Sequence, residues 1–369
     1  MVIAFDLTPV YEHLTGVERY NINISKEMIL NHPENYYILI FKNEIHYEFK
    51  AIVSMENVEE VIIPECNKLL FIQYRLLKAL NKIKADYYVF LSFTSPIFFT
   101  NERIINAIHD LTCWDCPDTI PFKMRLYYRY TYSVAAKHSW RLVTVSQFSQ
   151  RRICEKYGLV KERVPVIYNG LTGIFKRECY DKTGVYETYS LPDRYILSLS
   201  TLEPRKNIGL LIKAYKELAE ENVSLPDIIL AGRQGWKLEG IKSSITEEIS
   251  GRVHYIGFVA DEDLPQLYRK AEVFIFPSKY EGFGLPVVEA MSQGTLVISS
   301  DAASLPEVIG KAGITFRSDD LNDLKRAIKY FYGLDEKEKE ERRLLGISIS
   351  NSFSWDKEAE KLYRIMAEN

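Results

Sequence analysis

Two glutamates in one short stretch of the sequence have the right chemistry and spacing to bind the hydroxyl groups of a ligand. Glu281 and Glu289 are separated by seven residues. A carboxylate can accept hydrogen bonds from two neighbouring hydroxyl groups, so one glutamate could hold a sugar and the other a ribose. The residues directly after the first glutamate are Gly282, Phe283, Gly284, Leu285 and Pro286. This stretch therefore outlines a site for a nucleotide sugar.

The surrounding sequence predicts how these glutamates are held. An apolar run at residues 271–276 is ended by Pro277 and predicts a buried strand. Gly282 and Gly284 permit a tight turn, and Pro286 suits the first turn of a helix that ends at Gly294. A helix that begins after a glycine turn offers free N–H groups to an anion, so the same stretch predicts a phosphate site.

Arg205 and Lys206 form a second candidate pair, within the sequence Ser-Thr-Leu-Glu-Pro-Arg-Lys-Asn at 200–207. They follow a strand predicted at 195–200 and precede a helix predicted at 208–221, so Arg205 and Lys206 stand in the turn between them. The arginine fork and the lysine point charge together suit a diphosphate. Ordinary surface charge would give the same pair of residues.

The first half of the chain offers two weaker candidates. Thr15 and Gly16 begin a predicted helix after a strand at 2–6, which is another possible phosphate site, although most such turns bind nothing. His109 follows the strand predicted at 104–108, and open α/β sheets place ligands at the carboxyl ends of their strands. A single histidine is more often structural.

Bulk properties narrow the class of protein. A chain of 369 residues exceeds one comfortable core, so we expect two domains. The formal net charge of −3 argues against bulk binding of nucleic acid. Five cysteines, an odd number, indicate a reducing compartment rather than a disulfide framework. Without a secretory leader or a long apolar run, we expect a cytoplasmic protein.

Strand-like and helical patterns alternate along the chain, which is typical of an α/β protein with doubly wound parallel sheets. We expect a first domain at 1–171, a linker at 172–191 where the pattern is lost, and a second domain at 192–350. The strands predicted for the first domain are 2–6, 37–41, 58–63, 87–91, 104–108, 142–145 and 164–167. Those predicted for the second are 195–200, 228–232, 253–256, 271–276, 296–299 and 314–316.

The glutamate pair, set in Glu-Gly-Phe-Gly-Leu-Pro, resembles the signature of retaining glycosyltransferases of family 4, also called group 1. This family has the GT-B fold and includes mannosyltransferases of lipopolysaccharide and O-antigen synthesis. The resemblance covers nearly the whole chain. It implies two Rossmann-like domains that face each other across a cleft, with a C-terminal helix at 354–369 packing back on the first domain.

The resemblance also implies roles for individual residues. Glu281 would contact the transferred sugar, Glu289 the ribose, and Arg205 with Lys206 the diphosphate. In the first domain, Gly16 would face the donor and His109 would lie beside the transferred sugar. The remaining implied donor contacts are Ser200, Thr201, Phe258 and Val259. Many relatives have glycine where this chain has Ser200.

The implied activity is transfer of a hexose, with mannose favoured, from a nucleoside-diphosphate sugar to a glycan or a polyprenyl-diphosphate-linked acceptor. We expect neither metal nor cofactor, because no Asp-x-Asp sequence stands at a strand end and the cations can stabilise the leaving group. A sugar-nucleotide epimerase of the same fold and a non-catalytic binding subunit are the alternatives. An epimer formed from donor alone would identify the epimerase.

Two basic helices could contact an anionic membrane. The predicted helix at 68–84 carries Lys68, Arg75, Lys78 and Lys82 opposite an apolar face that includes Leu69, Leu70 and Leu77. The predicted helix at 122–138 mixes lysine and arginine with tyrosine and is a candidate for contact with the acceptor or with the membrane. A helix that only packs on a sheet gives the same pattern, so both interpretations stay open.

Overall fold

A computed structural model describes residues 1–10, 14–67, 70–176, 184–235 and 249–368. The chain divides into two compact units. The first contains Met1–Gly170 and Ser354–Asn369, and the second contains Leu171–Phe353. The segment predicted as a linker lies within the second unit, where Gly173–Lys176 and Gly184–Tyr189 form short helices. These helices are too short to give a recognisable apolar period, and residues 177–183 between them lie outside the described part of the chain.

The first unit contains a six-stranded parallel sheet with the strand order β3-β2-β1-β4-β5-β6. Its strands are β1 Val2–Asp6, β2 Tyr36–Lys42, β3 Val58–Ile63, β4 Tyr87–Phe90, β5 Ile104–Ala107 and β6 Arg141–Val143. Neighbouring side chains point to opposite faces of a sheet, and both faces of β1, β2 and β4 are buried. This explains why these strands appear as uninterrupted apolar runs in the sequence.

The strand predicted at 164–167 is not formed. Its only pairing within the described chain is an isolated bridge between Val166 and Thr144, which follows β6. Thr144 donates to the carbonyl of Pro165 and accepts from Ile167. Pro165 has no N–H of its own, so the hydrogen-bond ladder cannot extend through it.

The longer helices of the first half of the chain are α1 Gly16–Asn31, α2, α3 Phe122–His138 and α4 Gln147–Tyr157. Helix α2 consists of a π-helical turn, Phe71–Leu76, continued by an α-helix, Leu77–Leu80. Shorter elements are the helix Thr112–Asp115 and the 3-10 turns Tyr47–Phe49, Ile52–Ser54, Pro117–Thr119 and Lys161–Arg163. Ser146 caps α4, since its Oγ accepts the N–H of Ser149 at 3.0 Å.

Helix α2 differs from the helix predicted at 68–84. Phe71, Leu76 and Leu80 pack into the core beside the sheet, so packing explains part of the apolar pattern. Leu70 was predicted on the same face but is exposed. The π-helical turn adds a residue to one turn of the helix and changes which side chains share a face. Lys68 and Leu69 lie outside the described residues.

The second unit contains another six-stranded parallel sheet, with the order β12-β11-β10-β7-β8-β9. Its strands are β7 Tyr195–Leu199, β8 Asp227–Ala231, β9 Val253–Gly257, β10 Val273–Phe276, β11 Val297–Ser300 and β12 Ile314–Phe316. Its helices are α5 Ile208–Glu220, α6 Leu264–Lys270, α7 Leu285–Ser292, α8 Leu321–Gly333 and α9 Glu336–Ser352. Shorter elements are the helix Leu305–Ile309 and the 3-10 turns Pro204–Lys206 and Asp261–Asp263. The predicted α/β class and parallel sheets are confirmed.

The last helix, α10 Trp355–Ala367, packs against α1 and belongs to the first unit. Its buried side chains are Trp355, Ala359, Leu362 and Met366. The Tyr87 hydroxyl of β4 donates to the carbonyl of Met366 at 2.6 Å. The C-terminal segment therefore completes the core that the N-terminal residues begin.

No helix in the described part of the chain is both long enough and apolar enough to cross a bilayer.

Candidate active site

The two candidate groups of the second unit meet because their strands are neighbours. β7 pairs with β10, so the loops that leave their carboxyl ends lie at the same edge of the sheet. Lys279 donates its N–H to the carbonyl of Arg205 at 2.8 Å, and the Arg205 guanidinium donates to the carbonyl of Tyr280 at 2.8 Å. These two hydrogen bonds fix the Arg-Lys turn against the segment that carries Glu281.

Four charged side chains form an ionic cluster at this edge. Glu281 accepts from Arg205 Nη1 at 3.0 Å through one oxygen and from Lys206 Nζ at 2.6 Å through the other. Glu203 Oε1 binds the far side of the same guanidinium, 3.0 Å from Nε and 2.8 Å from Nη2. The arginine is therefore held from two sides.

Burial strengthens the electrostatic interactions among the side chains of this cluster. Glu203 and Glu281 are almost fully buried. Burial alone would raise the pKa of Glu281, but Lys206 and Arg205 outweigh it and bring the pKa down to about 2. Burial lowers the pKa of Lys206, while the Glu281 carboxylate opposes that shift. Glu281 is thus a carboxylate at neutral pH, bonded to the two cations that were predicted to hold a diphosphate.

The glycine turn precedes α7 as predicted. Gly284 has a φ of +102°, a conformation that favours glycine, and the helix begins at the next residue. The Ser304 hydroxyl lies within hydrogen-bond distance of two carbonyls of the turn, 2.9 Å from that of Glu281 and 3.0 Å from that of Phe283, and so stabilises the turn. Because Pro286 lies in the first turn of α7 and has no N–H, it leaves fewer donors there for an anion than the helix start alone would provide.

Glu289 lies on α7 with its side chain almost fully buried. The hydroxyl of Tyr268, on α6, donates to Glu289 Oε2 at 2.9 Å. Tyr268 is completely buried, and its ring packs edge-on against Phe274 with 5.3 Å between ring centroids. This tyrosine fixes the orientation of the carboxylate that was predicted to bind ribose.

The other predicted donor contacts surround the same sheet edge. Ser200 follows β7, and its buried Oγ has no hydrogen-bond partner within the described chain. Thr201, the next residue, is exposed. After β9, Phe258 is exposed and Val259 is buried. The guanidinium of Arg233, which follows β8, lies 4.8 Å from the centre of the Phe258 ring.

Gly16 begins α1 in the first unit, as predicted, but the carboxylate of Glu18 already binds the start of this helix. Glu18 Oε2 accepts the N–H of Thr15 at 2.9 Å and also binds the Thr15 hydroxyl. This capping interaction uses donors that an anion would need. A phosphate at this helix start would therefore have to displace Glu18, which weakens the interpretation of Gly16 as a phosphate site.

His109 follows β5 in the first unit and is held in a defined orientation. Its Nε2 lies 2.7 Å from the carbonyl of Leu91, an acceptor that requires this nitrogen to carry the proton. The ring packs edge-on against Tyr20, with 5.0 Å between ring centroids. Burial lowers the pKa of His109, so the ring is neutral at pH 7 and Nδ1 is its acceptor.

The sequence analysis did not identify four residues that contact the predicted site residues: Glu203, Arg233, Tyr268 and Ser304. Glu203 stands between two strongly marked residues, Thr201 and Arg205, and could have been found as a carboxylate in a strand–helix turn. Arg233 could have been found as a cation directly after a predicted strand. Tyr268 and Ser304 gave no signal, because their partners are 21 and 23 residues away in the chain.

The sequence of this chain is similar to those of known glycosyltransferases. Residues 188–344 match the family model described as "Glycosyl transferases group 1". The chain is 30% identical to O-antigen chain mannosyltransferase B of Escherichia coli over 373 residues, which cover 96% of this chain and 97% of that protein. It is 29% identical to O-antigen chain mannosyltransferase RfbU of Salmonella typhimurium over 223 residues, 60% of this chain and 59% of that one.

Solved structures show a similar fold. HepE of Anabaena, in complex with UDP-glucose, superposes with a TM-score of 0.75 at 18% identity, covering 100% of both chains. A glycosyltransferase named WaaG, involved in lipopolysaccharide biosynthesis, superposes with a TM-score of 0.73 at 14% identity, again over 100% of both chains.

Proposed function

The chain belongs to the group 1 glycosyltransferases and has the GT-B fold, and from this premise we propose that it transfers mannose from GDP-mannose to a growing surface polysaccharide. One observation carries the choice of sugar. The relative named O-antigen chain mannosyltransferase B matches over nearly the full length of both chains. A match of that extent includes the acceptor-side half as well as the donor-side half.

The ionic cluster supports the chemistry of the proposal. Cleavage of the bond between sugar and phosphate places new negative charge on the departing diphosphate. Arg205 and Lys206 are held in place before the donor arrives, so they can stabilise that charge with little reorganisation. When the donor binds, one or both cations would leave Glu281 and bind the diphosphate instead. The released Glu281 carboxylate would then turn to the sugar, while Glu203 keeps the guanidinium in position.

The remaining roles follow the same logic. Glu289, oriented by Tyr268, would accept hydrogen bonds from the ribose hydroxyls, and Phe258 would lie against the base. Transfer is proposed to retain the anomeric configuration, with the acceptor attacking from the face that the diphosphate leaves. The two cations would do the work of a metal at the diphosphate. His109 and Gly16 stay predictions from the family resemblance.

The acceptor is proposed to be a hydroxyl of a glycan carried on a polyprenyl diphosphate at the inner face of the plasma membrane. The names of the two mannosyltransferase relatives support an O-antigen type of product. An enzyme acting there would contact the membrane peripherally.

A donor panel tests the proposal. The protein is incubated with a mannosylated oligosaccharide acceptor and either GDP-mannose, UDP-glucose, UDP-N-acetylglucosamine or GDP-fucose, and the product is analysed by mass and by NMR of the new anomeric proton. We expect product from GDP-mannose, with the α configuration of the donor and undiminished in EDTA. Preference for another donor would contradict the choice of mannose. Conversion of the donor in the absence of acceptor would favour the epimerase.

A further inference from the structure

The two sheets have the same strand order. When the strands are numbered along the chain within each unit, both sheets have the order 3-2-1-4-5-6. Sheets of this kind bind ligands at the carboxyl ends of strands 1 and 4, where the strand order reverses. In the second unit these strands are β7 and β10, and the ionic cluster lies there. The corresponding strands of the first unit are β1 and β4, which also pair.

Polar side chains follow β1 and β4 at this position of the first unit. Asp6 is the last residue of β1, and Ser92 stands two residues after the end of β4. Both are almost fully buried. Asn21 of α1 joins them, because its Nδ2 donates to the Asp6 carbonyl at 2.8 Å and to the Ser92 Oγ at 3.0 Å. These three residues are here called the Asp6 group.

Only one oxygen of the Asp6 carboxylate is used within the chain. Its Oδ1 accepts the N–H of Thr8 at 3.1 Å and the Thr8 hydroxyl at 2.6 Å. Among the residues that the structure describes, Oδ2 has no hydrogen-bond partner and no cation contacts the carboxylate. Burial raises the pKa of Asp6 to about 6, because the charged form is poorly solvated here. A further donor at Oδ2 would therefore stabilise the carboxylate.

The other members of the Asp6 group also have unused hydrogen-bonding capacity. The Ser92 Oγ accepts from Asn21, and its own proton has no acceptor in the described part of the chain. Asn21 Oδ1 is buried and likewise has no partner there. Buried polar groups are rarely left without a partner, so this position favours a polar ligand. The negative charge of Asp6 disfavours a phosphate and favours a ligand that donates hydrogen bonds.

His109 connects the Asp6 group to the next strand of the sheet. Its Nε2 donates to the carbonyl of Leu91, the residue before Ser92, and its ring packs on Tyr20, the residue before Asn21. His109 is predicted to lie beside the transferred sugar. On that prediction, a ligand of the Asp6 group lies next to the sugar that moves.

We propose that the Asp6 group binds the terminal sugar of the acceptor glycan. Asp6 Oδ2 accepts a hydrogen bond from one sugar hydroxyl, and the Ser92 hydroxyl donates to a neighbouring one. Asn21 is fully buried and positions both residues without touching the ligand. Because Asp6 repels phosphate, the diphosphate part of the acceptor lies elsewhere. This inference rests on the proposed function, which requires a glycan acceptor.

Acceptor kinetics test the role of the Asp6 group. Initial rates are measured for wild type, Asp6→Asn and Ser92→Ala, with the mannosylated oligosaccharide varied at saturating GDP-mannose. Asparagine keeps an oxygen for Thr8 but replaces the unused acceptor by a donor. We expect the acceptor KM to rise roughly tenfold or more in Asp6→Asn and about fivefold in Ser92→Ala, with the KM for GDP-mannose unchanged. Asp86→Asn is the matched control, because Asp86 accepts a backbone N–H before β4, at the opposite edge of the same sheet.

Direct binding separates this inference from the proposed function. Calorimetric titration with the same oligosaccharide, in the presence of GDP, gives its affinity without turnover. If wild type binds the oligosaccharide more tightly than Asp6→Asn does but transfers no mannose, only the proposed function is wrong. If wild type transfers mannose and Asp6→Asn keeps the wild-type acceptor KM, Asp6 only closes the turn with Thr8 and the inference is overturned. Should Asp6→Asn fail to fold, a wild-type acceptor KM in Ser92→Ala overturns it equally.

Discussion

At the scale of single residues, the charge balance around Glu281 determines what the donor must displace. Arg205 and Lys206 are both bonded to this carboxylate in the structure, so the diphosphate competes with a bound partner and not with water alone. Glu203 offsets that competition by keeping a second hold on Arg205. The cluster is therefore neutral overall before the donor binds, with two cations and two carboxylates.

Arg205→Ala and Lys206→Ala should each lower kcat by a factor of about 100 or more, because each removes a charge that acts on the departing diphosphate. Initial rates at saturating GDP-mannose measure this effect. Lys213→Ala, a cation on the outward side of α5, serves as the control. Wild-type turnover in either site variant would remove that residue from the phosphate site.

Tyr268→Phe should weaken binding of free GDP about fivefold, since it removes one hydrogen bond that orients Glu289 and leaves the ring in place. Calorimetric titration with GDP gives the affinity. Tyr195→Phe is the matched control, because Tyr195 is also buried but donates to the carbonyl of Leu267. If both variants bind GDP as wild type does, Tyr268 has no role in nucleotide binding.

Acid should destabilise the chain through Glu281. Its pKa in the folded chain, about 2, lies below the ordinary value of 4.5, so it stabilises the fold above pH 4.5 and loses this effect as the pH falls towards 2. The shift corresponds to roughly 3 kcal/mol of unfolding free energy. Urea unfolding followed by circular dichroism should therefore show a flatter pH dependence for Glu281→Gln than for wild type. Glu262→Gln, at an exposed position, should keep the wild-type slope.

At the scale of elements, the site depends on two neighbouring strands and on the turn that follows one of them. β7 and β10 bring the Arg-Lys turn to the glycine turn, and Ser304 supports the glycine turn from the loop after β11. Gly284 leaves little room for a side chain. A Cβ there would lie 2.6 Å from Leu305 Cδ2, and its φ is positive.

Gly284→Ala should cost about 1–3 kcal/mol of unfolding free energy and shift α7 away from its present start, so GDP affinity should fall together with stability. Thermal unfolding and GDP titration measure the two effects. Gly251→Ala is the control, because a Cβ there meets nothing within 4 Å. A Gly284→Ala protein with wild-type stability would mean that the turn tolerates a side chain.

At the scale of the whole molecule, the first unit is completed by the last residues of the chain. α10 packs on α1, and Leu362 is fully buried between them and their neighbours. The unit therefore depends on a segment that follows the entire second unit in sequence. Stability of the first unit should respond to substitutions at the C-terminus.

Leu362→Ala should cost about 3 kcal/mol of unfolding free energy, because it deletes a buried side chain and leaves a cavity. Three of the four tryptophans, Trp114, Trp140 and Trp355, belong to the first unit, so tryptophan fluorescence during urea unfolding reports mainly on that unit. Leu344→Ala, which removes an exposed leucine from α9, should leave the transition unchanged. Equal stability of the two variants would show that α10 contributes little to this core.

The sequence by itself determined the α/β class, most strands and the family. Buried parallel strands need apolar residues on both faces, and the glycine turn needs Gly284, so both requirements appear directly as residue types. Local patterns also placed Arg205, Lys206, Glu281 and Glu289 at strand ends and helix starts.

Only the tertiary structure decided which of these residues are bonded to each other. The pairing of Glu281 with Arg205 joins residues 76 positions apart, and no local period encodes it. The bond from Tyr268 to Glu289, the isolated bridge at Val166 and the exposure of Leu70 have the same origin. Each depends on how strands and helices pack in three dimensions, whereas a sequence pattern records only what each segment requires of its own residues.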